Sequence, residues 1–156
     1  MTSPQRLKST GPQLADQRLI GKTKIGAPPK VLSKRLDFVK QVRAGFSYTV
    51  LDALAKKLGI SQEQIIVLLN LPRSTIKRQQ SEGRPFSAEH SDRMYRAQKL
   101  IDMSAETLGD PAEAVRWLQR QHTALGGVTA LSLVDTTAGY ERVLDELERI
   151  THGVPV

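Results

Sequence analysis

Five polar side chains between residues 73 and 78 have the types that recognise a nucleic acid. They are Arg73, Ser74, Thr75, Lys77 and Arg78. An arginine can donate hydrogen bonds to O6 and N7 of one guanine, whereas serine and threonine offer short polar contacts to bases. Lysine and arginine also pair with phosphate oxygens, which position a protein on a duplex without reading its sequence. The cluster therefore predicts contacts to double-stranded DNA.

These residues lie on the second of two short predicted helices, at residues 62–69 and 73–81. Ser61, followed three residues later by glutamine, is a capping-box signature for the start of the first helix. Pro72 ends that helix because proline lacks an amide hydrogen, and Ile76 is predicted to anchor the second helix to a core. Two helices joined by a tight turn, the second of them basic, suit a major groove about 12 Å wide. An ordinary helical hairpin in a bundle is the alternative.

The remaining composition argues against other classes of function. The 156 residues include no cysteine, which excludes a disulfide framework, thiolate catalysis and a cysteine-based zinc site. The three histidines are scattered, and the aromatic residues, at 4%, are too few for a stacking platform on single strands. No apolar run approaches the roughly 18 residues of a membrane span, and the polar first residues do not resemble a secretory signal. With no evident nucleophile–base pair or phosphate loop, we expect no enzyme activity, no metal, no cofactor and no membrane association.

Charge is distributed unevenly along the chain. Residues 1–48 hold ten Lys and Arg against two Asp and Glu, residues 49–103 hold nine against six, and residues 104–156 hold four against eight. The resulting net charges are +8, +3 and −4. The first part is therefore expected to attract a polyanion, and the last part is not. A basic, solvated face without a partner is the alternative explanation.

Hydrophobic spacing and helix-end signals predict an all-α chain, and no stretch reaches the four alternating residues expected of a strand. Residues 1–32 are rich in proline, glycine and basic residues, and are predicted to form a mobile basic arm. The predicted helices cover residues 33–44, 48–58, 62–69, 73–81, 87–103, 111–121 and 137–152. The predicted core residues on these helices include Leu51, Leu54, Ala55, Leu58, Ile65, Leu68, Leu69, Met94, Ala97, Ile101, Tyr140, Val143, Leu144, Leu147 and Ile150.

Two stretches of the chain resemble a known family of bacterial proteins. The first is similar to the helix-turn-helix of Xre-type antitoxins, and its matching runs are Leu58-Gly59-Ile60-Ser61 and Leu71-Pro72-Arg73-Ser74-Thr75. The second resembles the domain shared by Xre, MbcA and ParS antitoxins, through Leu108-Gly109-Asp110-Pro111, Trp117-Leu118, Ala124-Leu125-Gly126-Gly127, Gly139-Tyr140 and His152-Gly153. The resemblance covers roughly residues 46–156 and leaves the first thirty residues unexplained.

The resemblance implies a function and its partners. Antitoxins of this family are encoded beside a toxin with a RES domain, and such toxins resemble ADP-ribosyltransferases and deplete cellular NAD. The antitoxin binds its toxin through the carboxyl-terminal domain and obstructs the active site. The complex represses its own operon by binding promoter DNA. The family also implies a homodimer within a larger complex in the bacterial cytoplasm.

Residue patterns and resemblance together predict three parts of the chain. Residues 1–32 form the basic arm, residues 33–103 the helix-turn-helix DNA-binding domain, and residues 104–156 the toxin-binding domain. Two other functions remain open at this point. One is a stand-alone transcriptional repressor whose last third only dimerises, and the other is a protein-interaction adaptor whose arm binds an acidic partner. A RES-type neighbouring gene separates the antitoxin from the repressor, and DNA binding separates both from the adaptor.

Candidate toxin-binding residues lie in the last third of the chain. The resemblance points to the chain end, through His152, Gly153 and the apolar tail Val154-Pro155-Val156. A frayed terminus is the alternative for the tail, and an imidazolium at the negative end of a helix is the alternative for His152. Trp117 is a further candidate contact, although a place in the core is the more common role of such a large aromatic residue.

Overall fold

The computed structural model describes the backbone of residues 30–153 and the side chains of residues 36–153. The first 29 residues of the predicted arm and the tail Val154-Pro155-Val156 lie outside the described residues. Within the described part, the helices are α1 Lys30–Ala44, α2 Tyr48–Leu58, α3 Gln62–Leu68, α4 Arg73–Ser81, α5 Ala88–Leu108, α6 Pro111–Gln119 and α7 Thr137–Thr151. Between α6 and α7 lie strand β1 Gln121–His122, a 3₁₀ helix Thr123–Leu125, strand β2 Val128–Thr129 and a 3₁₀ helix Ala130–Leu133.

The all-α prediction is confirmed, and side chains singled out in the sequence cap several helices. The Ser61 hydroxyl accepts a hydrogen bond from the Gln64 amide at 3.2 Å, and Gln64 Oε1 accepts one from the Ser61 amide at 2.8 Å. Ser87 caps α5 and Asp110 caps α6 in the same way, each through one backbone amide. These contacts satisfy amides that have no partner within the helix, so the helices begin where the sequence predicts.

Two helices are longer than predicted. Helix α1 begins at Lys30, three residues before its predicted start and within the stretch assigned to the arm. Helix α5 continues to Leu108 instead of ending near Met103. It stops where Gly109 adopts the left-handed φ of 71°, a conformation that glycine enters without steric cost.

The segment after α6 contains a hairpin that the sequence does not predict. Helix α6 ends at Gln119 rather than near residue 121, because Gln121 and His122 pair with Thr129 and Val128 in an antiparallel register. Strands of two residues are too short to show an alternating pattern, so this small hairpin has no signal in the sequence.

One hydrophobic cluster runs through the described part of the chain. All four residues predicted on the inner face of α2 are buried, and Ile65, Leu69 and Ile76 are fully buried. Leu68, a predicted core residue, is only half-buried, while Ile66 is 3% exposed. Two of the three residues in the predicted stripe of α3 are thus buried, and Ile66 is buried more deeply than Leu68.

Helix α5 connects the two halves of the molecule. It packs against α1 and α2 and also against α6 and α7, with Met94, Ala97 and Leu100 fully buried. The predicted boundary between residues 103 and 104 falls inside this helix. The hydrophobic cluster contains side chains from both sides of that boundary. The two halves therefore share one core.

The connection between α1 and α2 lies against the connection between α4 and α5. The Phe46 amide donates to Ser91 Oγ at 2.8 Å, and the Phe46 carbonyl accepts from the Phe86 amide at 2.9 Å. Next to it, Gly45 has a φ of 90°, and a Cβ added there would lie 2.1 Å from the Phe86 carbonyl oxygen. Both the backbone conformation and the lack of space therefore require glycine at this position.

Candidate nucleic-acid interface and carboxyl-terminal surface

Helices α3 and α4 form the predicted pair, joined by a four-residue turn at residues 69–72. Ile76 is fully buried and anchors α4 to the core, as predicted. Asn70 has a φ of 50°, the left-handed region, which asparagine tolerates better than other non-glycine residues. The sequence predicts the end of the first helix here because of Pro72. In the structure, the chain changes direction at Asn70, which has the left-handed backbone conformation.

The turn is fastened to the rest of the molecule through Asn70. Its carbonyl oxygen accepts a hydrogen bond from Arg93 Nη1 at 2.6 Å, and its Nδ2 lies 3.4 Å from Asp135 Oδ2. Arg93 is itself held by Glu89, with 2.6 Å between Nη2 and Oε1. The turn therefore contacts α5 and the segment just before α7. These contacts fix the direction in which α4 leaves the turn.

The predicted DNA contacts on α4 differ in their accessibility. Ser74, Lys77 and Arg78 are exposed, and the side chain of Arg73 is 59% exposed. Thr75 is half-buried at the edge of this surface. Four of the five side chains are thus accessible and the fifth is half-buried, and their contacts to DNA stay predictions.

One acidic residue belongs to this surface although the sequence analysis did not select it. Glu63, in the first turn of α3, places Oε1 3.2 Å from Lys77 Nζ and Oε2 3.8 Å from Arg73 Nε. The three side chains are separated by 10 and 14 positions and are joined only by the fold. No spacing rule could have found the contact, because it crosses between two helices.

A chain of polar contacts connects α2 to α3 beneath this face. The Tyr48 hydroxyl donates to Gln62 Oε1, Gln62 Nε2 donates to Asp52 Oδ1 at 2.9 Å, and Lys56 Nζ lies 2.8 Å from Asp52 Oδ2. Burial raises the pKa of the Tyr48 hydroxyl, and the Asp52 carboxylate adds to the increase. The hydrogen bond from Lys56 holds the pKa of Asp52 below its ordinary value. This network keeps the start of α3 at a fixed position relative to α2.

Trp117 is part of the core rather than a surface contact. Its side chain is 2% exposed, and its ring lies 4.5 Å, between centroids, from the ring of His122. His122 Nε2 also hydrogen-bonds the Trp117 carbonyl oxygen at 2.7 Å. Of the two roles considered for Trp117, the described part of the chain shows the place in the core, and a partner could reach the indole only by displacing its neighbours. Its visible role is to hold the hairpin against α6.

The end of α7 carries the remaining candidate residues. His152 is exposed, and its backbone amide donates to the Glu148 carbonyl oxygen at 3.0 Å, which closes the last turn. Gly153 follows with a φ of 64°. Val154, Pro155 and Val156 lie outside the described residues. The two described residues thus stand accessible at one end of the molecule.

Helix α7 also has an exposed acidic face. The net charge of residues 104–156 indicates an acidic region but does not say where its carboxylates lie. Glu141, Asp145 and Glu148 are exposed and follow one another at intervals of four and three residues, which places them on one side of the helix. Glu146 points elsewhere: it is only 4% exposed, and its Oε2 lies 3.4 Å from Arg149 Nη1. The spacing could have been recognised in the sequence, whereas the burial of Glu146 could not.

The described residues contain neither a candidate membrane span nor a candidate metal site. None of the helices in this part of the chain is both long and apolar enough to span a bilayer. Nor do any three or more His, Asp or Glu side chains in residues 36–153 lie together in a way that could hold a metal ion.

Comparison with known proteins gives matches to two family models. Residues 37–108 match the antitoxin Xre-like helix-turn-helix domain. Residues 104–153 match the Xre/MbcA/ParS antitoxin C-terminal toxin-binding domain. The first match contains the surface of α4, and the second contains the hairpin and α7. The two matches meet within α5, the helix shared by both halves.

Similar proteins are found in several bacteria. The chain is 28% identical to an antitoxin Xre of Yersinia enterocolitica over 83% of this chain and 86% of that protein. It is 27% identical to an antitoxin Xre of Pseudomonas putida over 78% of this chain and 76% of that protein. A Sphingobium protein named "Prs ADP-ribosylating antitoxin" is 30% identical over 82% of this chain and 89% of its own length. The chain therefore belongs to the Xre/MbcA/ParS family of antitoxins, with a helix-turn-helix domain followed by a toxin-binding domain.

Proposed function

We propose that this antitoxin neutralises a RES-domain toxin encoded beside it and represses the operon that encodes both proteins. Residues 33–103 bind promoter DNA, and residues 104–156 bind the toxin and obstruct its active site. The observation that carries the proposal is the match of residues 104–153 to a toxin-binding domain, directly behind a helix-turn-helix with an exposed basic helix. The protein has no catalytic task in this scheme and needs no cofactor.

The toxin-binding part is supported by charge complementarity. Residues 104–156 carry a net charge of −4, and three of their carboxylates form the exposed face of α7. A toxin that consumes NAD must attract the two phosphates of a dinucleotide, so its cleft is expected to be cationic. We propose that the acidic face of α7 docks beside this cleft. His152, Gly153 and the tail Val154-Pro155-Val156 then extend into it.

The DNA-binding part is supported by the accessible face of α4. Arg73, Ser74, Thr75, Lys77 and Arg78 are the proposed contacts, and the rigid turn at Asn70 presents them together. A homodimer would place two such helices about one helical turn of DNA apart, 34–36 Å. The size of the purified antitoxin in solution, measured by light scattering, tests the homodimer directly. Operator DNA lies in the bacterial cytoplasm, so the antitoxin is proposed to act there.

The chemistry of the toxin has two candidate forms. One is net depletion of NAD, which the family resemblance implies. The other is transfer of ADP-ribose to a protein, which the name of the Sphingobium relative favours for its own partner. Both reactions consume NAD, so loss of NAD alone does not separate them. Transfer leaves a modified protein, whereas depletion does not.

Co-expression with the neighbouring gene tests the proposal. The neighbouring gene alone should stop growth of the host and lower its NAD, and co-expression of the antitoxin should restore both. Probing the cell extract for ADP-ribosylated protein then separates the two forms of toxin chemistry. If the neighbouring gene is harmless, or if growth arrest persists with the antitoxin present, the toxin-binding part of the proposal fails. The chain would then remain a DNA-binding repressor without a toxin.

The chain end gives a sharper test of how the active site is obstructed. A variant that ends at Thr151 retains all of α7 but lacks His152, Gly153 and the tail. We expect it to bind the toxin in a pull-down, through the acidic face, and to restore growth poorly. Substitution of Glu141, Asp145 and Glu148 by glutamine should instead weaken the pull-down itself. A truncated variant that silences the toxin fully would contradict the proposed role of the chain end.

A further inference from the structure

Glu63 makes contacts that its place in the helix does not require. It lies in the first turn of α3, where an acidic residue interacts favourably with the helix dipole. The capping box of Ser61 and Gln64 already supplies hydrogen bonds to amides of this turn. The Glu63 carboxylate extends instead to α4, where it lies within 4 Å of both Lys77 and Arg73. One carboxylate thus bridges two cations that lie one turn apart on the proposed DNA-contacting helix.

Folding stability does not explain this bridge. The side chains of Glu63, Arg73 and Lys77 are 51%, 59% and 65% exposed. Ion pairs at such exposure contribute little to stability, because water and salt screen them and two long side chains must be ordered. A negative charge beside a phosphate-binding surface would, however, have a large effect on DNA binding.

We propose that Glu63 is a specificity-determining residue: it suppresses binding to unrelated DNA while it orients Arg73 toward a base. The inference rests on the proposed DNA-binding function and names a residue that governs it. Binding to unrelated DNA draws nearly all of its free energy from cations that neutralise phosphates. A phosphate that approaches Lys77 or Arg73 must compete with the Glu63 carboxylate and is repelled by it.

The geometry of Arg73 separates the two kinds of DNA contact. Glu63 faces the Nε atom of Arg73. A guanidinium can form its paired hydrogen bonds to guanine O6 and N7 through its two terminal nitrogens, so a carboxylate near Nε leaves donors for a base. A carboxylate 3.8 Å from Nε therefore attracts the guanidinium electrostatically without occupying the atoms that read a base. The Glu63 carboxylate therefore weakens contacts to phosphates more than it weakens contacts to bases.

Titration of the Glu63→Gln variant against two duplexes tests the inference. One duplex comes from upstream of the antitoxin's own coding sequence, and the other is a scrambled duplex of equal length. We expect the scrambled duplex to bind about 3- to 10-fold more tightly to the variant than to the wild type, with a log–log salt slope steeper by about one. The promoter duplex should gain less, so the preference for the promoter falls. A thermal melt that matches the wild type shows that the fold is retained.

Glu82→Gln is the matched control. It removes the same charge from the end of α4, where Glu82 pairs with Arg84 at 3.2 Å and contacts neither Arg73 nor Lys77. We expect less than about a twofold change for this variant. An equal gain in both variants would mean that net charge alone is responsible and would overturn the inference. Unchanged or weaker binding of Glu63→Gln to the scrambled duplex would overturn it as well.

The outcomes separate this inference from the proposed function. If the wild type prefers its promoter and Glu63→Gln keeps the same preference, the inference fails and the proposed function stands. If the wild type binds neither duplex, or binds both equally, promoter recognition fails and the role of Glu63 fails with it.

Discussion

Arg73 and Lys77 lie one turn apart on α4, yet their side chains suit different tasks on DNA. The planar guanidinium of Arg73 presents donors in a fixed arrangement that matches a guanine edge. The Lys77 ammonium is a compact charge on a flexible stem, which suits a phosphate. Both are more than half exposed, so either can be replaced without opening the core. The surface of α4 can therefore be dissected one residue at a time.

Replacing Arg73 with alanine should remove promoter preference while the fold is retained. The loss on the promoter duplex is expected to be about 1–3 kcal/mol, because a base contact disappears. Lys77→Ala should instead weaken binding to all duplexes alike and reduce the salt slope by about one. Arg116→Ala, which removes an exposed cation from α6, is the charge-matched control. An Arg73→Ala protein with unchanged promoter preference would contradict the assignment.

His90 is a buried titratable group at the start of α5. It is 8% exposed, and its Nδ1 has no hydrogen-bond partner. Burial lowers the pKa of its imidazole below the ordinary value of 6.5, with Glu89 opposing the shift and Arg93 adding to it. The folded protein therefore takes up this proton less readily than the unfolded chain. Its contribution to stability is complete above about pH 6.5 and is lost as the pH falls through the folded pKa.

A stability measurement at two pH values tests this linkage. The melting temperature of the wild type should fall between about pH 7.5 and about pH 5.5, and the fall should be smaller in His90→Gln, which has no imidazole to protonate. His152→Gln, at an exposed position, should retain the wild-type fall. Equal falls in all three proteins would show that His90 is not the group responsible.

At the scale of elements, the position of the helix-turn-helix depends on the contact between the α1–α2 connection and the α4–α5 connection. The α1–α2 connection approaches the α4–α5 connection so closely at Gly45 that no side chain fits. Gly83, after α4, also has a left-handed φ, of 62°, but a Cβ there would meet nothing within 4 Å. A side chain at Gly83 would therefore meet only the cost of the left-handed backbone, whereas one at Gly45 would also collide with Phe86.

Alanine at these two glycines should destabilise the protein unequally. Gly83→Ala is expected to cost about 1 kcal/mol for the left-handed backbone alone. Gly45→Ala should cost a further 1–3 kcal/mol or so, because Phe86 and its connection must move. Denaturant unfolding of both variants gives the comparison. Equal losses would mean that the connection yields easily and does not constrain the start of α2.

The elements defined by short-range signals could be predicted from the sequence, and the contacts between elements could not. The capping residues Ser61, Ser87 and Asp110 fixed helix starts because their hydrogen bonds reach only two or three residues. The α4 surface followed from residue types. The bridge at Glu63 and the contact between the rings of Trp117 and His122 depend on the packing of separate elements, which no local spacing encodes.

At the scale of the whole molecule, charge is separated along the chain. Residues 1–29 hold five Lys and Arg against one Asp, while residues 104–156 carry −4. The amino-terminal stretch thus adds positive charge to a protein whose proposed DNA-contacting helix is also basic. Charge of this kind strengthens binding to any duplex, because it acts through phosphates.

Deletion of residues 1–29 should therefore weaken binding to promoter and scrambled duplexes by a similar factor. The log–log salt slope should become shallower, since fewer phosphates are neutralised. The ratio of the two affinities should stay the same, and growth rescue against the toxin should be unaffected. A selective loss on the promoter duplex would show instead that the stretch reads sequence.

The shared helix α5 couples the folding stability of one half of the antitoxin to that of the other. Side chains from both halves meet in one cluster around it, so melting of either half removes neighbours from the other. Any ligand that binds only the folded chain raises the free energy of unfolding of the whole. A toxin bound to the carboxyl-terminal domain is then expected to protect the helix-turn-helix domain from cellular proteases as well. Antitoxin without toxin should have the shorter lifetime.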